Sequence, residues 1–177
     1  MARIFLLAGA PAVGKSTTAH ALAGRFEKSL HIPVDDIRSM VVSGVLHPGS
    51  TWSNELSEQL RLARESVAET AIRYYKAGFV VVIDDFWDPN SRLVEYHLLF
   101  EQPGMHKVLL FPSQQQAQER NKKRSGEGDE YIAEGIRAVY EGLNADIPNL
   151  TREGWIIADS TDRTVNATVE YILDQIE

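Results

Sequence analysis

Residues 9–16 read Gly-Ala-Pro-Ala-Val-Gly-Lys-Ser and match the pattern G-x-x-x-x-G-K-[ST] without a mismatch. An apolar run, Ala2–Ala8, precedes them, and a helical pattern, Lys15–Arg25, follows. Glycines in such a strand–loop–helix unit let backbone N–H groups converge on phosphate oxygens, and the helix presents its positive end there. Lys15 can reach β- and γ-phosphates, and Ser16 can bind Mg²⁺ through its hydroxyl. The stretch therefore predicts a nucleoside triphosphate site.

The nucleotide expected in this loop is ATP, bound together with Mg²⁺, although the pattern by itself does not separate ATP from GTP. Such loops wrap around the phosphates and contact them mainly through backbone N–H groups, so the whole segment is the candidate binding site. The candidate nucleotide-binding residues are Gly9, Ala10, Pro11, Ala12, Val13, Gly14, Lys15, Ser16 and Thr17.

Short apolar runs alternate with helical patterns along the rest of the chain, which indicates a parallel sheet with helices on both faces. Besides Ala2–Ala8, strands are expected at Leu30–Val34, Phe79–Ile83, Lys107–Phe111 and Trp155–Ala158. Helices are expected at Lys15–Arg25, Asp35–Met40, Asn54–Lys76, Ser91–Phe100, Gln114–Arg124, Glu130–Leu143 and Thr164–Ile176, with a loop at Ser43–Ser53. The predicted class is a doubly wound α/β fold, in which ligands bind beyond the carboxyl ends of the strands.

Composition limits both the architecture and the function. The chain of 177 residues is the size of one domain, residues 1–177, and the absence of cysteine excludes disulfides, thiolate metal sites and cysteine nucleophiles. A formal net charge of −7 argues against a surface dedicated to duplex DNA or anionic membranes. No apolar run reaches the roughly 20 residues of a membrane helix, and the N-terminal run is too short for a signal peptide. We therefore expect a cytoplasmic protein.

Two aspartates, Asp84 and Asp85, follow the strand predicted at Phe79–Ile83. A carboxylate in this place is the usual partner of a phosphate-binding loop and holds Mg²⁺ directly or through water. Successive side chains of a strand point to opposite faces, so only one of the two is expected at the metal; the alternative is a turn or helix-start aspartate. The candidate metal ligands are Ser16, Asp84 and Asp85.

The acceptor side is predicted after the second strand, where Asp35 is followed one helical turn later by Arg38. The carboxylate of Asp35 can take a proton from an attacking hydroxyl, and Arg38 can orient an anionic acceptor. The alternative is that Asp35 or Asp36 caps the helix and that Arg38 is a solvated helix residue. Candidates for contacts with the acceptor are Asp35, Arg38, Asp85 and Trp87, with weaker candidates at His47 and Trp52.

A basic stretch contains Arg120 and Arg124, four residues apart on one helix face, and a glycine-rich segment follows. Guanidinium groups there can close over a transferring phosphoryl group, and the glycines suit a lid at about residues 120–130. The alternative is a solvated basic face or an RNA-binding patch. Residues 159–161, after the fifth strand, either help to contact adenine or cap the last helix.

The sequence resembles the small P-loop kinases of the adenylate-kinase-like group over nearly the whole chain. The resemblance rests on five motifs, which occur in the order GAPAVGKST, VDDIR, VVVIDDFW, ER-x-x-x-R and IIADST. The resemblance implies a P-loop NTPase fold with a five-stranded parallel sheet in the order 2-3-1-4-5 and a small lid. Within the group, the chain is similar to chloramphenicol phosphotransferase and to the kinase domain of polynucleotide 5′-kinases. Both imply that Asp35 is the general base, and the polynucleotide kinases imply that Arg38 contacts an acceptor phosphate. The implied lid arginine is Arg120 or Arg124.

The expected activity is transfer of the γ-phosphate of ATP to a hydroxyl of a small-molecule acceptor. The candidate catalytic residues are Asp35, Lys15, Arg120 and Arg124. One alternative is a nucleotide or polynucleotide 5′-hydroxyl kinase, although the net charge does not favour nucleic acid as the acceptor. A second alternative is a nucleotide-binding regulator or NTP hydrolase with no small acceptor.

Overall fold

The computed structural model describes residues 2–48, 52–88, 90–125 and 129–176. The strands are β1 (Ile4–Ala8), β2 (Ser29–Pro33), β3 (Val80–Asp84), β4 (Met105–Leu110) and β5 (Trp155–Ala158). The helices are α1 (Lys15–Ala23), α2 (Val34–Ser39), α3 (Asn54–Lys76), α4 (His97–Phe100), α5 (Gln114–Ser125), α6 (Glu130–Arg152) and α7 (Val165–Asp174). Parts of the loop predicted at Ser43–Ser53 (49–51) and of the predicted lid (126–128) lie outside the described residues.

The five strands form one parallel sheet in the order β2-β3-β1-β4-β5, which confirms the predicted architecture. The central strand β1 is wholly apolar and completely buried, as expected for a strand covered on both faces. Leu7 is in register with Asp84 of β3 and with Val108 of β4. The loop that follows β1 and the acidic end of β3 therefore meet at one edge of the sheet.

The long helix α3 forms as its sequence predicts. Ser53 caps its first turn by accepting a hydrogen bond from the backbone N–H of Leu56 at 3.0 Å. Its apolar stripe, which recurs at helical spacing, is buried at Leu56, Leu60, Ala63, Val67 and Ala71. Tyr74 continues the same helical spacing but is 39% exposed, and its ring packs edge-on against Phe79.

Two helix predictions are wrong in extent. Residues 91–100 do not form one helix, because Arg92 and Leu93 have φ values of 51° and 60° that no α-helix accommodates. A 3₁₀ turn at Val94–Tyr96 and the single turn of α4 stand there instead. In contrast, α6 does not end at Leu143 but continues through Pro148 to Arg152, and the burial of Leu150 offsets the cost of the proline.

In the part of the chain that the structure describes, no helix combines the length and the apolar character needed to cross a membrane.

Candidate nucleotide and acceptor site

The loop after β1 has a backbone that its glycines make possible. A Cβ at Gly9 would lie 2.6 Å from the carbonyl oxygen of Leu110, and Gly14 has a φ of 96°. Ala12 also has a positive φ, 61°, which is a strained conformation of the kind found at binding sites. No side chain caps the N-terminus of α1 at Gly14, so the first N–H groups of this helix point into the loop. The arrangement is suited to bind an anion.

Lys15 extends back over the loop, where its Nζ donates a hydrogen bond to the carbonyl oxygen of Ala10 at 2.9 Å. Burial lowers the pKa of Lys15 below its usual range, and the carboxylates of Asp84, Asp35 and Asp85 oppose that shift. Three predicted site residues, Asp84, Asp35 and Asp85, therefore lie within electrostatic range of the ammonium group of Lys15.

Asp84 lies at the floor of the site, between two polar side chains. Its Oδ1 accepts a hydrogen bond from the Oγ of Ser16 at 2.7 Å, and its Oδ2 is 2.7 Å from the Nε2 of His31. The side chain of Asp84 is 7% exposed. The structure thus brings together Ser16 and Asp84, two of the three predicted metal ligands.

Asp85 has different surroundings, although it is the next residue. Its Oδ2 accepts hydrogen bonds from the Nε of Arg64 at 2.7 Å and from the hydroxyl of Tyr96 at 3.0 Å. Arg64 is completely buried and also bonds to Asp88 and Glu95 through its Nη1. Burial raises the pKa of Asp85, and the charge of Arg64 opposes the rise. The carboxylate of Asp85 is therefore committed to Arg64 rather than directed at Ser16.

On the acceptor side, Asp35 and Asp36 lie inside the first turn of α2, whose N-cap position is Pro33, so neither aspartate is the N-cap residue. The side chain of Asp35 is 82% exposed. Arg38 is not a solvated helix residue, because its side chain is only 10% exposed. Its Nη1 contacts Oδ1 of Asp35 at 3.3 Å, and its Nη2 donates to the carbonyl oxygen of Leu46 at 2.7 Å.

The two candidate lid arginines on α5 have distinct environments. Arg120 donates hydrogen bonds to the carbonyl oxygens of Val13, at 2.7 Å, and Ser160, at 2.8 Å. It thereby joins the phosphate-binding loop to the loop after β5. Arg124 is exposed, and its charge contributes to the lowered pKa of Lys15, so it lies within electrostatic range of the phosphate-binding loop.

The aromatic candidates for the acceptor pocket lie in different environments. Trp87 is 3% exposed and packs edge-on against Trp155, with ring centroids 5.4 Å apart, so it offers an acceptor almost no surface. We therefore remove Trp87 from the candidate acceptor contacts. The Nε1 of Trp52 donates to the Oγ of Ser57 at the start of α3, and His47 is exposed on the loop after α2.

The loop after β5 does not cap α7, because Thr164 is the N-cap residue of that helix. Asp159 accepts hydrogen bonds from the N–H and the hydroxyl of Thr161, and the hydroxyl oxygen of Thr161 accepts one from the N–H of Ser113. These bonds tie the loops after β4 and β5 together. A cavity of about 300 Å³ lies between them and includes Phe111 and Tyr140 in its lining.

Among the described residues, no group of three or more histidine, aspartate or glutamate side chains converges as a metal site. Mg²⁺ does not need such a cage, because it commonly keeps several waters and binds through one or two carboxylates and the phosphates of its substrate. The hydroxyl of Ser16 and the carboxylate of Asp84 are hard oxygen donors beside a phosphate-binding loop. This donor set fits a nucleotide-bound magnesium ion.

Sequence reasoning missed two side chains that the structure places beside these carboxylates. His31 lacks metal-ligand spacing in the sequence, and Arg64 belongs to none of the motifs. Their partners are 53 and 21 residues away in the sequence, so no local pattern signals them. An arginine that interrupts the buried face of α3 between Leu60 and Val67 is the one available hint, because arginine is almost never fully buried unless it is paired.

Comparisons with known proteins agree with this architecture. The chain is similar in structure to a sugar kinase from a Janibacter species, with a TM-score of 0.69, 18% identity and coverage of 99% of this chain and 96% of that one. It is also similar to a gluconokinase from Sinorhizobium meliloti, with a TM-score of 0.63, 17% identity and coverage of 99% and 91%. At these identities the likeness shows the fold, which is the predicted P-loop NTPase fold.

The more specific resemblance to chloramphenicol phosphotransferase and polynucleotide kinases is not shown by these matches. Comparison with curated protein sequences gives no significant match. A family model described as an AAA domain matches residues 4–145, which include the phosphate-binding loop, Asp35, Asp84 and both lid arginines. Since this match spans most of the sequence, the chain belongs to the AAA-domain family.

Proposed function

We propose that this protein is an ATP-dependent kinase that phosphorylates a hydroxyl group of a small-molecule acceptor. The observation that carries the proposal is that two carboxylates, those of Asp84 and Asp35, both act on Lys15, although they have different surroundings. Asp84 contacts Ser16 at 2.7 Å, and the exposed Asp35 is close enough to act on the pKa of Lys15. A site for nucleotide binding alone needs the first carboxylate and has no use for the second.

On the donor side, the N–H groups of the loop and Lys15 bind the β- and γ-phosphates. Ser16 and Asp84 hold Mg²⁺, which when bound neutralises charge on those phosphates. Asp84 is preferred to Asp85 because the carboxylate of Asp85 is occupied by Arg64 and Tyr96. Arg120 fixes the phosphate-binding loop against the loop after β5, and the exposed Arg124 is the lid arginine that reaches the transferring phosphoryl group.

On the acceptor side, Asp35 accepts the proton of the attacking hydroxyl. The acceptor oxygen bonds to the γ-phosphorus as the bond from phosphorus to the bridging oxygen breaks, and ADP leaves. The high exposure of Asp35 suits this role, because a substrate can reach its carboxylate from solvent. Arg38 holds one oxygen of that carboxylate and leaves the other free.

Arg38 bears on the choice of acceptor. Its two terminal nitrogens already contact Asp35 and the carbonyl oxygen of Leu46, and its side chain is 10% exposed. A guanidinium that is buried and engaged in this way is a poor partner for an acceptor phosphate. We therefore favour an acceptor without a phosphate beside its reacting hydroxyl over the 5′-hydroxyl of a nucleotide or polynucleotide.

The test is transfer of labelled γ-phosphate from ATP to a panel of alcohols. The panel contains neutral sugars, amino sugars, chloramphenicol-like alcohols, aldonic acids, nucleosides and 5′-hydroxyl oligonucleotides bearing a 3′-phosphate. We expect a labelled product from an acceptor that lacks a phosphate. A preference for the 3′-phosphorylated oligonucleotides would overturn the choice of acceptor. ATP hydrolysis at the same rate with every member of the panel, without any labelled acceptor, would favour an NTP hydrolase.

A further inference from the structure

His31 contacts the proposed metal site and has no role assigned so far. It is on β2, an edge strand of the sheet, and its Nε2 is 2.7 Å from Oδ2 of Asp84. The opposite oxygen of the same carboxylate meets Ser16. We propose that His31 is a positioning residue for the magnesium–nucleotide site, which it serves by fixing the orientation of Asp84. The proposal rests on the magnesium-binding part of the proposed function.

Two polar groups of the phosphate-binding loop lie within electrostatic range of the Asp84 carboxylate. One is the hydroxyl of Ser16, and the other is the ammonium group of Lys15, whose pKa Asp84 raises more than any other charge does. A carboxylate free to turn towards Lys15 would form an ion pair with the group that the nucleotide phosphates need. Because His31 engages Oδ2, the carboxylate plane is fixed with Oδ1 facing Ser16.

The geometry of the sheet explains why a side chain of this length is required. His31 is in register with Val82, two residues before Asp84, so both side chains project from the same face of the sheet. The polar group must therefore reach along the strand direction to meet the carboxylate. The Nε2 of histidine spans that distance, and the amide nitrogen of glutamine extends about as far from the backbone, whereas leucine fills the space without a donor.

The matched variants are His31→Leu, which removes the donor, and His31→Gln, which keeps one. His31 is on an edge strand with 15% of its side chain exposed, so we expect both variants to fold. His20→Leu is the control, because His20 is exposed and contacts the ring of His31 at a centroid distance of 6.0 Å. Thermal unfolding of all three variants checks that folding is retained.

The primary measurement is binding of Mn²⁺ to the protein–ADP complex, followed by electron paramagnetic resonance, which needs no acceptor. We expect His31→Leu to weaken Mn²⁺ binding about 10- to 100-fold, as is typical when the partner of a metal ligand is lost. His31→Gln should restore most of the affinity, and His20→Leu should bind like wild type. Binding of ADP in the presence of EDTA should be unaffected in all three variants.

Two results would overturn the proposal. One is unchanged Mn²⁺ affinity in His31→Leu, and the other is an equal loss in His31→Leu and His31→Gln, because the hydrogen bond would then not be what matters. Failure of the proposed function looks different. If the wild-type protein binds Mn²⁺ and ADP but phosphorylates no alcohol, kinase activity is refuted while the role of His31 is still measured; if wild type shows no metal-dependent nucleotide binding, both are refuted.

Discussion

Asp84 and Asp85 are adjacent at the end of β3, and their carboxylates face two different regions of the molecule. The first region, made of Ser16, Asp84 and His31, opens towards the phosphate-binding loop. The second contains Asp85 and a fully buried arginine, Arg64, which gathers three carboxylates. Both regions are polar, but Asp84 bonds to Ser16 of the phosphate-binding loop, whereas Asp85 bonds to Arg64.

The difference shows that the end of β3 contributes both to the candidate site, through Asp84, and to the structure that holds it, through Asp85. The backbone N–H of Asp85 bonds to the carbonyl oxygen of Leu7, and that of Trp87 bonds to the carbonyl oxygen of Gly9. The segment held by Arg64 is therefore attached directly to the start of the phosphate-binding loop. We infer that the Arg64 region stabilises the scaffold and that the Asp84 region acts on the ligand.

The sharpest way to break this comparison is Arg64→Leu. Removing Arg64 takes away the cation that Asp85, Asp88 and Glu95 contact in this buried cluster, so we expect a loss of about 3–5 kcal/mol in the free energy of unfolding. Urea denaturation measures it. Arg61→Leu is the matched control on the same helix, because Arg61 pairs with Glu58 and Glu65 at the surface, where ion pairs contribute little. Similar stabilities for the two variants would contradict the account.

The complementary change is Asp84→Asn, which should impair catalysis rather than folding. The amide keeps the shape of the side chain but loses the charge that helps to hold Mg²⁺, whose electrostatic contribution is worth several kcal/mol. We therefore expect kcat/KM to fall by about 100-fold or more. Assays of phosphate transfer and urea denaturation of the same sample separate the two effects. A variant that unfolds as readily as Arg64→Leu but retains its activity would reverse the assignment of the two regions.

The same contrast explains what could be predicted from sequence. The phosphate-binding loop is contiguous, and its strand–loop–helix setting follows from local patterns, so it was found without a structure. The stripe along α3 was also predictable, because burial recurs at helical spacing. The sequence predicted that either Asp84 or Asp85 would lie beside Ser16, because successive side chains of a strand point to opposite faces. It did not indicate which of the two.

What escaped prediction depends on contacts between distant segments. Arg64 meets its carboxylates only when α3 packs beside the turn after β3, and His31 reaches Asp84 only when β2 and β3 pair. The break between residues 91 and 97 has a different cause. Its sequence carries a helical pattern, but tertiary packing buries Leu93 and Tyr96 completely and holds Arg92 and Leu93 in a left-handed conformation.

A smaller effect is expected from the lowered pKa of Lys15. The ammonium form binds phosphate, so nucleotide affinity is full well below this pKa and declines as pH rises through it. Since burial places the pKa below the usual value of 10.5, the decline should begin at lower pH than for an exposed lysine. Binding of ADP at alkaline pH should then be accompanied by uptake of a proton. Calorimetry of ADP binding in two buffers of different ionisation enthalpy measures this uptake. Equal proton uptake by Lys15→Gln would assign the effect to another group.

The central claim is that the donor side of the site binds the nucleotide, whereas Asp35 acts on the acceptor alone. The most direct measurement is the steady-state kinetics of Asp35→Asn with an acceptor identified in the panel, beside Asp36→Asn as the neighbouring exposed carboxylate. We predict that Asp35→Asn lowers kcat by about 100- to 10,000-fold, with unchanged ATP affinity and unfolding, whereas Asp36→Asn resembles wild type. A parallel loss of ATP affinity, or an unchanged kcat, would contradict the account.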